Sequence, residues 1–117
     1  MRYEYNGNLT EEDRIKKVSG EIVDKYPNIT KEEAENIAML EGRISTKKDL
    51  EMQFNRLSNI ILILDKDILR SREVYNDLIE LIRENKKDEK IEKYYDITMQ
   101  IGSFILDNKE FPFADFE

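Results

Sequence analysis

The feature that most constrains the fold is a row of apolar residues that recurs every three or four positions through the middle of the chain. Only Ser71 interrupts this row, named here the apolar seam: Leu50, Phe54, Leu57, Ile61, Leu64, Ile68, Tyr75, Leu78 and Ile82. Alternating steps of four and three place side chains along one side of an α-helix, as in coiled coils and long bundle helices. The seam predicts one helix over about residues 46–84, roughly 60 Å long at about 1.5 Å per residue.

Three threonines before the first residue of the seam have the sequence pattern of a helix start. Thr10, Thr30 and Thr46 each stand three positions before an acidic residue. In this pattern the hydroxyl accepts a hydrogen bond from a first-turn amide, and the carboxylate favours the positive end of the helix. Apolar spacing predicts further helices over about 11–26, 31–42 and 89–107. We therefore expect an all-α bundle of about four helices in one domain spanning 1–117, with an N-terminal arm at 1–9 and an acidic, aromatic tail at 108–117.

The width of the seam bears on self-association. Every residue from Ile60 to Leu64 is apolar, and short outer helices would struggle to cover so wide a face. We predict a homodimer in which two long helices pair across chains. The residues that would make this contact are Leu57, Ile61, Leu64 and Ile68. The alternative, which the sequence leaves open, is that the seam packs within one chain.

Composition argues against catalysis. The chain contains no cysteine and no histidine, which removes thiolate and imidazole chemistry and the common zinc ligands. We expect a non-catalytic protein without a cofactor. No apolar run approaches the ~20 residues of a membrane span, and the first residues do not resemble a signal peptide. We therefore expect a cytoplasmic protein without a membrane partner.

Acidic and aromatic side chains give the preferred function. The net charge is −7, a poor match for phosphate backbones. One acidic row has helical spacing: Glu73, Asp77, Glu80 and Glu84. Phenylalanines alternate with acids in the tail at Phe111, Phe113 and Phe116. These features predict a small acidic regulator or inhibitor, of the style found in phages and mobile elements. It would bind another protein and occlude that protein's nucleic-acid-binding surface. The tail would dock into the partner or fold back onto the bundle.

The first alternative is a dimeric helix-turn-helix regulator. Residues 30–54 resemble that motif, with Ala38 as the small residue in the first helix and Gly42 in the turn. Thr46 would then open a recognition helix that reads DNA with Lys47 and Lys48. The segment 28–54 carries four basic and six acidic residues, which does not suit a phosphate backbone.

The second alternative is a magnesium-dependent nucleotide pyrophosphohydrolase. Glu32 and Glu35 have the Glu-x-x-Glu spacing of the MazG-like enzymes. Glu73 and Asp77 are four apart where that family has three. Glu32 and Glu35 also bracket the first turn of an exposed helix, whereas a magnesium site needs carboxylates that converge.

Overall fold

The computed structural model describes residues 10–41 and 50–111, and this part of the chain consists of helices without a strand. The all-α prediction is confirmed there. Five helices follow in chain order: α1 Glu11–Lys25, α2 Lys31–Glu41, α3 Leu50–Leu64, α4 Ile68–Glu84 and α5 Ile91–Asp107. The described helices fall into two compact units, with α1 and α2 in Met1–Ile44 and α3, α4 and α5 in Ser45–Glu117. These are named the N-terminal and C-terminal units. The expectation of a single domain stays a prediction.

Two of the three predicted helix starts are confirmed. The Thr10 hydroxyl accepts a hydrogen bond from the Asp13 amide at 3.0 Å. At α2 the bonds are reciprocal, since the Glu33 amide donates to the Thr30 hydroxyl at 3.1 Å and the Thr30 amide to the Glu33 carboxylate at 3.0 Å. The two bonds to threonine hydroxyls satisfy first-turn amides that have no partner within the helix. Thr46 lies outside the described residues.

The prediction of one continuous helix over about 46–84 is wrong. The helix ends at Leu64, and α4 begins at Ile68. Asp65 and Lys66 adopt φ values of 46° and 68°, a left-handed conformation through which a right-handed helix cannot continue. Asp67 then starts α4, because its carboxylate accepts from the Arg70 amide at 3.3 Å and pairs with the Arg70 guanidinium at 2.8 Å.

The break brings α4 back against α3. The residues of the seam are therefore divided between two helices that pack against each other within one chain. Phe54, Ile61 and Leu78 are fully buried, while Leu57 is half-buried and Ile68 is 46% exposed. Ser71, which interrupts the seam, is also fully buried. A small side chain at that position permits close helix packing.

The N-terminal unit is an α1–α2 pair held by a buried arginine. The Arg14 guanidinium makes a bidentate contact with the Glu11 carboxylate at 2.9 and 2.6 Å. It also donates to the Ala38 carbonyl at 2.7 Å. That carbonyl is in the last turn of α2, where carbonyl groups have no partner within the helix and a positive charge is favourable. Arg14 thus ties the start of α1 to the end of α2.

The C-terminal unit is formed by α3, α4 and α5. The rings of Phe54 in α3 and Tyr94 in α5 lie 4.6 Å apart, and α4 packs against both helices. At the other end of the unit, the Lys66 ammonium hydrogen-bonds the Asn108 side chain and lies 5.1 Å from the centre of the Phe104 ring. The α3–α4 turn is thereby fastened to the end of α5.

Candidate functional site

The predicted acidic row lies on one side of α4 and is named the acidic face: Glu73, Asp77, Glu80 and Glu84. The buried side of the same helix carries Ser71, Val74, Leu78 and Leu81. At about 100° per residue the two sets point to different sides of the helix. Glu73, Glu80 and Glu84 are exposed, and Asp77 is half-buried.

One residue of the acidic face, Glu80, forms an ion pair within its own helix. The Arg83 guanidinium lies 3.1 Å from the Glu80 carboxylate on the surface of α4. Solvent screens an exposed pair of this kind, so it contributes little stability. An acidic strip on a regular helix has the spacing and rigidity to meet a basic surface.

Only the first aromatic residue of the tail lies within the described structure. Phe111 is half-buried, and its ring packs edge-on against Phe104 with the centres 5.0 Å apart. Through this contact the first residue of the aromatic part of the tail packs against α5 of its own chain. Phe113 and Phe116 lie outside the described residues, so docking by the tail stays a prediction.

The four residues predicted to mediate self-association are not equally accessible. Ile61 is 0% exposed and Leu64 is 4% exposed, because α3 packs against α4 in the same chain. Leu57 is half-buried, and Ile68 is exposed. In this structure, therefore, the centre of the seam forms part of the protomer's own core. The prediction of a dimer is not decided by these positions.

The structure divides the segment proposed as a helix-turn-helix. Its first helix, α2, belongs to the N-terminal unit with α1, whereas α3 belongs to the C-terminal unit. The α3 helix begins at Leu50, and Gly42, Thr46, Lys47 and Lys48 lie outside the described residues. The described helices provide no support for DNA reading by this segment.

The carboxylates of the pyrophosphohydrolase alternative are divided between the two units. Glu32 is exposed and Glu35 half-buried on α2, while Glu73 and Asp77 are on α4 in the other unit. Across residues 10–41 and 50–111, no three acidic side chains come close enough together to hold a metal ion. This alternative also lacks support in the described region.

A cavity of about 190 Å³ lies between the start of α3 and the α4–α5 turn. Its lining is mainly acidic and polar around one aromatic ring: Leu50, Glu51, Asp88, Glu89, Lys90 and Tyr94. The Asp88 carboxylate is engaged locally, since it accepts from the Lys90 amide at 2.8 Å. This lining suits a basic side chain better than an anionic ligand.

Sequence reasoning missed an apolar strip on the α4–α5 pair. Tyr95, Met99 and Leu106 of α5 are 52%, 50% and 70% exposed. They lie beside Gly102, where an added Cβ would come within 2.8 Å of the Tyr75 hydroxyl oxygen. Burial raises the pKa of Tyr75, and the nearby Tyr95 phenol adds to that shift. The signal for the strip was an apolar arc on α5 wider than one packed face requires.

No known protein family, curated protein or solved structure shows a significant match to this chain. None of the helices in the described part has the combination of length and apolarity needed to cross a membrane.

Proposed function

We propose that the protein is a non-catalytic regulator that binds another protein through the acidic face of α4. The observation that carries this proposal is the placement of Glu73, Asp77, Glu80 and Glu84 along one side of a regular helix, away from its buried side. Residues that recur every three or four positions on a helix have Cβ atoms about 5–6 Å apart. A row of this kind can face a basic surface over several turns.

The chemistry of the partner follows from the charge of the face. A partner with clustered lysine and arginine side chains is favoured, and the net charge of −7 adds long-range attraction to such a surface. Basic surfaces of this kind commonly bind nucleic acid, whose phosphates are also regularly spaced. The protein would then act as an inhibitor that occupies the surface in place of nucleic acid.

The test uses two variants with equal net charge. In the first, the acidic face is neutralised by Glu73→Gln, Asp77→Asn, Glu80→Gln and Glu84→Gln. In the control, Glu12→Gln, Asp24→Asn, Glu32→Gln and Glu35→Gln remove the same charge from α1 and α2. The parent and each variant are used to capture partners from lysate of the native host, split into nuclease-treated and untreated halves. Far-UV circular dichroism checks that each variant is folded.

We expect the parent and the control to retain a discrete basic partner, and the first variant to lose it. Added nucleic acid should displace the partner from the parent in proportion to its own affinity. A partner that is retained equally by both variants would contradict the proposal. Recovery of specific DNA, lost on nuclease treatment and steeply weakened by salt, would favour the helix-turn-helix alternative instead.

A further inference from the structure

The uncovered apolar strip occupies one side of the α4–α5 pair. On α5 it contains Tyr95, Met99 and Leu106, which are half or more exposed. On α4 it contains Ile68, which is 46% exposed, and the half-buried Ile79. Several large apolar side chains in one exposed row are typical of an interaction site. This side of the pair is named the outer face.

The two helices contribute to the outer face from the same side. The turn between them is short, and Tyr75 meets Gly102 at similar distances from that turn, so α4 and α5 are antiparallel. On α4, Tyr75 separates buried Leu78 from exposed Ile68. On α5, Gly102 separates buried Ile101 from exposed Leu106. In an antiparallel pair, this order places the exposed sides of α4 and α5 on the same side of the line along which the two helices touch.

Opposite charges border the strip. On α4 the next residues outward are the exposed Arg72 and Arg83, and on α5 they are the exposed Glu92 and Asp96. Arg83 is about 80° around α4 from Tyr75, and Glu92 is about 80° around α5 from Gly102. Along the axis, Arg83 is roughly 12 Å and Glu92 roughly 15 Å from that contact, both towards the turn. The outer face thus has an apolar centre, a basic edge and an acidic edge.

We propose that the outer face binds a second copy of this chain, with the two-fold axis running along the helices. Rotation about that axis places the basic edge of each copy against the acidic edge of the other, at the same height. Arg83, whose guanidinium also pairs with Glu80 of its own helix, then faces Glu92 across the interface. Helix α4 packs against α5 of the second copy. The four helices form an antiparallel bundle, a common arrangement for two helical hairpins.

Charge complementarity selects a second copy as the occupant. A two-fold axis across the helices would set arginine against arginine and acid against acid, which is unfavourable. A two-fold axis along the helices instead sets the basic edge of each copy against the acidic edge of the other. The proposed dimer leaves the acidic face on the flank of α4 and does not depend on the function proposed for it. It also needs no exposure of Ile61 or Leu64, which are buried in the protomer.

Sedimentation equilibrium on the full chain tests the surface. We expect twice the 14.0 kDa mass of one chain. Leu106→Glu should weaken the dimer more than about a hundredfold, because each copy would bury an unpaired carboxylate. Leu69→Glu is the matched control, since Leu69 is 85% exposed on α4 but lies beyond the basic edge. Circular dichroism establishes that both variants are folded.

A monomer at about 1 mM would overturn the proposal, as would a dimer that survives Leu106→Glu. So would a dimer that Leu69→Glu also dissociates, because that residue lies outside the proposed contact. Binding of a different protein to the outer face of a monomeric chain would equally contradict a second copy as the occupant.

A charge exchange tests the direction of the two-fold axis. Arg83→Glu alone and Glu92→Arg alone should each weaken the dimer roughly tenfold, because each sets like charges face to face. The double variant restores opposite charges and should recover most of the parent's affinity. A double variant that dimerises no better than the weaker single variant would contradict this arrangement.

Discussion

Single charged side chains in this protein form hydrogen bonds with backbone groups that have no partner within their own helix. Arg14 donates to the Ala38 carbonyl in the last turn of α2, and Asp67 accepts from an amide in the first turn of α4. Lys66 differs from these two, because its ammonium group hydrogen-bonds the Asn108 side chain after the end of α5 and not a backbone group. Helix ends are where unpaired backbone groups concentrate, so one side chain there influences where a helix begins and ends.

The Glu11–Arg14 contact makes the N-terminal unit sensitive to acid. Hydrogen bonds from Arg14 lower the pKa of Glu11 below its usual value of 4.5. A carboxyl group whose pKa is lowered by folding stabilises the native state above the unfolded-state pKa. That contribution disappears as the pH falls through the lower, folded-state value. We predict that Glu11→Gln destabilises the protein at pH 7 and has a smaller effect at pH 2.

Urea unfolding followed by circular dichroism at the two pH values measures the difference. Glu12→Gln is the control, since Glu12 is an exposed neighbour in the same first turn of α1. An equal loss of stability from Glu11→Gln at both pH values would show that the carboxylate charge is not the cause.

At the scale of helices, the sequence predicts the ends of α1, α2 and α5 to within two residues but misses the break in the seam. The break is hidden because Leu64 and Ile68 are four positions apart, and a spacing of four is also found between apolar residues of one continuous helix. Two helices that fold back on each other therefore preserve the heptad spacing. The available signal was the polar run Asp65-Lys66-Asp67 after a wholly apolar stretch, with an aspartate suited to start a helix.

The backbone at Asp65 provides a test of this break. With φ at 46°, glycine is favoured over alanine because it has no Cβ to clash in the left-handed region. We predict that Asp65→Gly is more stable than Asp65→Ala by about 1 kcal/mol. Both variants lose the same carboxylate, so each is a control for the other. In a continuous helix the order would reverse, with alanine favoured by about 1 kcal/mol. Thermal or urea unfolding distinguishes the two.

At the scale of the whole molecule, the acidic face could be predicted, whereas the outer face could not. Carboxylates at helical spacing rarely face a core, so their pattern alone indicates an exposed strip. The apolar arc of α5 contains both Tyr94, which is 2% exposed, and Tyr95, which is 52% exposed. Only the position of the neighbouring helix decides which part of such an arc is covered.

The packing of α4 against α3 decides which side of α4 is buried, and therefore where the acidic face and the outer face lie relative to the core. Spin labels measure this directly, and the chain contains no cysteine to interfere. The labels are attached through Glu51→Cys in α3 and Glu80→Cys in α4, two exposed positions. Labelled chains are diluted with unlabelled chains so that distances within one chain dominate.

Packed antiparallel helices have axes about 8–10 Å apart, so we predict a label separation below about 25 Å. In one continuous helix, the same two positions would be roughly 44 Å apart at about 1.5 Å per residue. A distribution centred on the shorter distance supports the α3–α4 hairpin and the surfaces derived from it. A distribution centred on the longer one would contradict the fold on which both proposals depend.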